Sequence, residues 1–124
     1  MVSLYKGSCH CGAVQFEVRG EPTEFNVCDC SLCSRKNALM WAVPEQALRI
    51  LSGKDKLTLY RWNTTIAEHY FCSICGIYTF HRKRMAPDQF GINVNCLSNI
   101  DSDGVPVRRL TGSGLSVETE PLDP

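Results

Sequence analysis

The sequence predicts a mainly β fold, and two observations carry that expectation. Apolar and polar residues alternate over several short stretches. No stretch sustains a 3.6-residue period long enough for a dominant helix. Separately, seven of the eight cysteines fall into tight groups. The 124 residues suit one compact domain with a modest core. We expect that domain over 1–110, followed by a polar, loosely held tail over 111–124 ("TGSGLSVETEPLDP"). No internal repeat and no linker-like break interrupts the chain.

The expected elements follow in chain order. In "AVQFEVRG", Val14, Phe16 and Val18 alternate with Gln15, Glu17 and Arg19, the period-2 signature of a half-buried strand. "ALMWAVP" is an apolar run open to two readings, buried strand or short helix, and Pro44 stops it. "PEQALRIL" has room for one helical turn. "KLTLYRW" sets Leu57 and Leu59 against Thr58 and Tyr60. "QFGINVNCL" places Phe90, Ile92, Val94 and Cys96 on one face and Gly91, Asn93 and Asn95 on the other.

Composition excludes several classes. Thirteen basic side chains balance thirteen acidic ones. Two zinc ions on seven thiolates would leave the protein slightly anionic, a poor partner for nucleic acid. No run approaches the ~18 apolar residues of a membrane span. The start, "MVSLYKGSC", lacks the basic and apolar segments of a secretory signal. A soluble, cytoplasmic protein is expected, with no membrane partner.

In a reducing compartment, clustered cysteines point to metal or redox chemistry rather than a disulfide framework. "FCSICGIYTF" has the Cys-x-x-Cys form that presents two sulfurs to one tetrahedral ion, with Gly76 available for positive φ under the metal. "GSCHCGAV" supplies two more sulfurs, so Cys9, Cys11, Cys72 and Cys75 make a closed, structural zinc site. "FNVCDCSLCSRKN" adds Cys28, Cys30 and Cys33, three thiolates that one loop can wrap around a second ion.

The fourth ligand of that second ion is Cys96, a histidine, or an exogenous molecule. Cys96 shares a face with apolar residues and reads better as a buried thiol. His10 reads as a surface residue. His69 and His81 lie in strand-like stretches, as structural residues or proton carriers. An exchangeable position remains, the mark of catalytic zinc, and a soft thiolate-bound ion takes another sulfur. A thioredoxin-like redox role lacks the strand–helix alternation it needs, and the spacings match neither common ferredoxin pattern.

"GSCHCGAVQFEV", "CDCSLCSRKN" and "FCSICGIYTF", in this order, resemble the glutathione-dependent formaldehyde-activating enzyme family, which shares a domain with centromere protein V. The resemblance runs from about Gly7 to Leu97. It implies a β-tent (Mss-four-like) fold of two curved antiparallel sheets with zinc at their junctions. The same split of ligands is implied, with Cys28, Cys30 and Cys33 at the catalytic ion and two zinc ions per chain. Its named activity is that of a carbon–sulfur lyase, joining glutathione and formaldehyde into S-hydroxymethylglutathione. The chain is shorter than the named enzyme.

Under this reading a small thiol meets an aldehyde at the three-cysteine zinc. Asn93, Asn95, His81 or water delivers or orients the proton, and the sequence does not choose among them. Arg35 and Lys36, and Arg82, Lys83 and Arg84 of "HRKRM", are candidate grips for the carboxylates of glutathione. Trp41 and Trp62 read as core or pocket rim. The rival expectation is a non-enzymatic zinc module that serves as a protein-interaction scaffold, in which the second site is closed by a protein ligand.

Overall fold

The computed structural model describes residues 3–28, 31–61, 68–83, 88–101 and 103–110, except the side chains of 31, 33, 34 and 110. Its strands form two sheets. The smaller has the order β1-β2-β5. The first two of these strands, β1 (Ser3–Ser8) and β2 (Gln15–Gly20), pair antiparallel from Ser3↔Gly20 to Ser8↔Gln15, and β5 (Leu48–Ser52) flanks β2. The larger has seven strands. It comprises β3 (Phe25–Cys28), β4 (Met40–Pro44), β6 (Leu57–Tyr60), β7 (Glu68–Cys72), β8 (Tyr78–Arg82), β9 (Gln89–Asn93) and β10 (Val107–Leu110). Their order is β10-β3-β4-β9-β8-β7-β6. The 111–124 tail lies outside the described residues.

The alternating stretches become strands as expected, and "ALMWAVP" resolves to a strand. Several details differ from the sequence reading. β10 runs parallel to β3, so the large sheet is mixed rather than purely antiparallel. β9 ends at Asn93 and tightens into a 3-10 turn over Val94–Cys96, capped by Asn93 Oδ1 accepting from the Asn95 amide at 3.1 Å. Gly91 and Asn93 are also buried, so both faces of β9 are covered. "PEQALRIL" gives a 3-10 turn over Glu45–Ala47 and then β5.

The core lies between the sheets. Val14, Phe16, Val18, Phe25, Phe80 and Ile92 are almost wholly buried. Phe16 of the small sheet meets Phe80 of the large one edge-to-face at 5.3 Å, and Phe80 meets Phe90 at 5.7 Å. On the outer face of the small sheet, register explains a buried acidic residue. Glu17 pairs with Lys6 on one side and Arg49 on the other, and both ammonium and guanidinium reach its carboxylate, at 3.7 and 3.8 Å.

Phe80 joins the sheets, so truncating it leaves a cavity at their junction. Phe80→Ala is expected to cost about 3–5 kcal/mol in metal-loaded protein, measured by urea unfolding. A cost under about 1 kcal/mol would show that the two sheets do not share this core.

Candidate metal centre and histidine pair

The first site is built by two turns, one from each sheet. In the large sheet, β7 ends at Cys72 and the chain turns back before β8. The Cys72 amide donates to the Ile77 carbonyl at 2.9 Å, and the Gly76 amide donates to the Cys72 carbonyl at 2.8 Å. Gly76 has φ +78°, the left-handed conformation anticipated for it. In the small sheet, the loop after β1 is closed by the Cys9 amide donating to the Val14 carbonyl at 3.1 Å. Two amides are aimed at sulfur, Val14 at Cys9 Sγ (3.3 Å) and Ile74 at Cys72 Sγ (3.4 Å).

These turns bring the sulfurs of Cys9, Cys11, Cys72 and Cys75 within 4.8 Å of one another. Cys9 and Cys11 are 3.6 Å apart and Cys11 and Cys72 3.7 Å, and all four are free thiols. Four sulfurs at about 2.3 Å from a tetrahedral zinc would lie about 3.8 Å apart. The donor set therefore fits a metal ion. His10 is exposed and no part of the group.

The electrostatics agree. Hydrogen bonding by the Ile77 amide, helped by neighbouring amide and thiol donors, brings the Cys75 thiol down to about 6. Burial opposes ionisation of Cys9, but bonds from Val14, Cys11 and Cys72 outweigh it and lower the thiol. Cys11 receives a bond from Ala13 that favours its thiolate, yet burial and the crowding of Cys9, Cys72 and Cys75 push it up to about 11. Such close sulfurs compete for negative charge. A divalent cation between them lets each ionise.

Cys96 stands apart from this group. It packs against the core, donates to the Tyr78 carbonyl at 3.5 Å, and is pushed up to about 11 by burial and by the charges of Cys9 and Cys75. Cys96 is half-buried and lies in the 3-10 turn after β9 rather than on the strand itself.

Of the second group, Cys28 ends β3 and is half-buried. Cys33 falls within α1 (Ser31–Lys36), where the sequence reading had a loop. Asn37, in the left-handed conformation at φ +50°, follows the helix. Cys30 and the side chain of Cys33 lie outside the described residues, as do Trp62 and Arg84. Arg35 is exposed in the last turn of α1.

One turn beyond Cys33, Lys36 reaches a polar cluster that the sequence disclosed only in part. Its ammonium sits 3.6 Å over the Tyr78 ring and 3.0 Å from His69 Nδ1. An ammonium only donates, so that nitrogen is the acceptor. His69 and His81 are register partners on β7 and β8, stacked at 5.0 Å. Tyr78 Oη lies 2.5 Å from His81 Nδ1 and donates to Met40 Sδ at 3.5 Å. Opposite His81 stands Gly91, where a Cβ would come 2.5 Å from the imidazole Cε1. Only glycine leaves room for that ring.

Tyr78 and His81 are three apart, an odd spacing that a regular strand would send to opposite faces. A β-bulge reconciles them. Tyr70 pairs with Phe80 but Phe71 with Tyr78, so Thr79 is the extra residue. Its hydroxyl satisfies the Tyr70 carbonyl at 3.1 Å, and Tyr78 is returned to the face of His81. Asn93 secures the same segment by donating Nδ2 to the Tyr78 carbonyl at 2.9 Å. Asn93 is thus engaged at both ends of its amide, whereas Asn95 is exposed. Of the other basic candidates, Arg82 is bonded to Glu45 and Glu68, and Glu68 also binds Arg61. Trp41 is buried against Tyr5, with ring centroids 5.6 Å apart.

A family model described as glutathione-dependent formaldehyde-activating enzyme matches residues 4–109. The chain belongs to this family. A Halomonas elongata protein, whose name assigns it provisionally to the same enzyme type, is 35% identical over 83 residues, 59% of this chain and 52% of its own. The chain thus spans about half the length of that curated relative. A crystal structure of a Rhodobacter sphaeroides protein superposes with a TM-score of 0.76 at 40% identity, covering 83% of this chain and 99% of the other. No helix among the described residues is long and apolar enough to cross a membrane.

Metal free energies of about 10 kcal/mol in small sulfur sites rival the stability of a whole domain. Cys72→Ser should therefore lose the metal of this group and unfold in the range where the wild-type protein is folded, by elemental analysis and circular dichroism. Cys96→Ser should keep its metal. Equal metal loss from both variants would contradict the assignment of ligands.

Proposed function

We propose that the protein is a zinc-dependent carbon–sulfur lyase that forms and cleaves the adduct of a small thiol, foremost glutathione, with formaldehyde. The observation that carries the reading is the convergence of Cys9, Cys11, Cys72 and Cys75 on one point. With those sulfurs committed and Cys96 bonded to the Tyr78 carbonyl, the group Cys28, Cys30 and Cys33 has no fourth cysteine to close it. On this reading each chain holds two zinc ions, one sealed and one open.

Zinc held by Cys28, Cys30 and Cys33 would supply a position at which a thiol is deprotonated at neutral pH. The substrate sulfur attacks the aldehyde carbon. The carbon–sulfur bond forms as the carbonyl π pair moves to oxygen, and the oxygen takes a proton; the reverse sequence cleaves the adduct. We assign that proton to Tyr78 and His81. The phenol and imidazole share a short hydrogen bond, so either can replenish the other. Lys36, over the Tyr78 ring, ties the cluster to the helix that carries Cys33. Asn93 is a positioning residue here, holding the Tyr78 backbone. Arg35, exposed at the end of α1, is a contact for one substrate carboxylate.

The test is NMR of a glutathione–formaldehyde mixture, with metal analysis of each sample. Wild type should accelerate adduct exchange. Cys30→Ser should return the rate to background while keeping the metal of the four-cysteine site. Tyr78→Phe should keep both metals and lose about 10²-fold in rate. If fully metal-loaded wild type leaves the exchange rate unchanged, the proposed activity is wrong. If Cys30→Ser matches wild type, the site is wrong.

A further inference from the structure

A cavity of about 360 Å³ opens where the start of β3, the end of β4 and the middle of β10 meet. This is within the range of small-molecule sites. Its lining includes the buried ring of Trp41, the amide of Asn26, and five charged side chains, the cations Arg19, Lys83 and Arg108 and the acids Glu21 and Glu24. Elsewhere several charges are matched, Glu17 with Lys6 and Arg49, and Glu68 with Arg61 and Arg82. Around the cavity they are not. Among the described residues, no ion pair or side-chain hydrogen bond engages Arg19, Lys83, Arg108 or Glu24, while Glu21 on the rim accepts from Ser3 at 2.9 Å. The lining thus offers cations in excess, with an acidic group beside them.

The cavity is also placed relative to the second cysteine group. On β3, Phe25 is buried in the core, so Asn26 and Cys28 share the opposite face. Asn26 lines the cavity and Cys28 lies two residues on, about 7 Å along the strand. Arg108 is the parallel register partner of Asn26 and stands beside it. A sulfur held at Cys28 therefore has charged, open space about one extended dipeptide away.

We propose that this cavity is the subsite for the charged tail of the thiol substrate: a carboxylate is held by Arg108 with Arg19 or Lys83, and an α-ammonium faces Glu24. The site then selects amino-acid or peptide thiols over neutral ones of similar reactivity. Guanidinium groups suit a carboxylate because they donate in a planar fork. This inference rests on the reading of Cys28, Cys30 and Cys33 as a thiol site, and assigns the part of the substrate remote from sulfur.

The test uses S-methylglutathione, whose blocked sulfur cannot bind as a thiolate, titrated into the zinc-loaded full chain and followed by amide NMR. Saturable shifts are expected at Gly20, Asn26 and Ala42, and Arg108→Glu should weaken binding about tenfold or more. In exchange kinetics, Arg108→Glu and Lys83→Ala should each lower the preference for glutathione over 2-mercaptoethanol about tenfold. Arg49→Ala, away from the cavity, should leave that preference unchanged. Shifts confined to other residues, or a preference unaltered by Arg108→Glu in folded, metal-replete protein, would overturn the inference even with the lyase activity intact. Conversely, occupancy of the cavity by a chain that accelerates no thiol–formaldehyde exchange would support the subsite and reject the activity.

Discussion

The rest of the structure depends on four sulfurs meeting at one point. Cys9 and Cys11 follow β1 in the small sheet, and Cys72 ends β7 in the large one with Cys75 in the turn after it, so the candidate metal centre is also the seam between sheets. About sixty residues separate the two pairs. Closing a loop of that length costs entropy that grows only slowly with its length, whereas a sulfur-bound zinc contributes on the order of 10 kcal/mol. A chain of 124 residues buries a modest core. For such a chain an ion held by these four sulfurs would be part of the fold, closing the same seam across which Phe16 meets Phe80.

The same seam reaches the proposed chemistry through β8. That strand leaves the Cys72–Cys75 turn and, within a few residues, presents Tyr78, the Thr79 bulge, the core residue Phe80 and then His81. A shift of the turn would move the phenol and imidazole together. Gly91 from β9 and Lys36 from α1 then define the space around the rings, one by having no side chain and the other by covering Tyr78. Structural and reactive roles are separated by ligand count but coupled by a single strand. In the proposed chemistry, that coupling lets a small domain place a proton donor without a large scaffold beneath it.

Much of this was legible in the sequence, for local reasons. Alternation marked β2, β6 and β9, and the Cys-x-Cys and Cys-x-x-Cys spacings named the sealed quartet, because each signal lies within about ten residues. What escaped depends on register between distant strands. The parallel docking of β10 on β3 needs Val107 opposite Phe25, and nothing in "VRRL" announces it. The bulge at Thr79 is visible only once Tyr70 and Phe71 are paired across the sheet. Without it, Tyr78 would have been placed on the wrong face from His81. Arg19 of β2 and Arg108 of β10 line one cavity, and nothing local in the sequence joins them. The helix α1 was hidden for the opposite reason, being too short for any period to show.

The central claim is an asymmetry between two ions, one sealed by four cysteines and one held by three. Zinc X-ray absorption on the fully loaded full-length chain tests it most directly. The account predicts two zinc ions sharing seven sulfur ligands at about 2.3 Å, with one lighter scatterer, replaced by an eighth sulfur when glutathione is added. A resting spectrum in which both ions already have four sulfurs, or a chain that binds a single zinc, would contradict it.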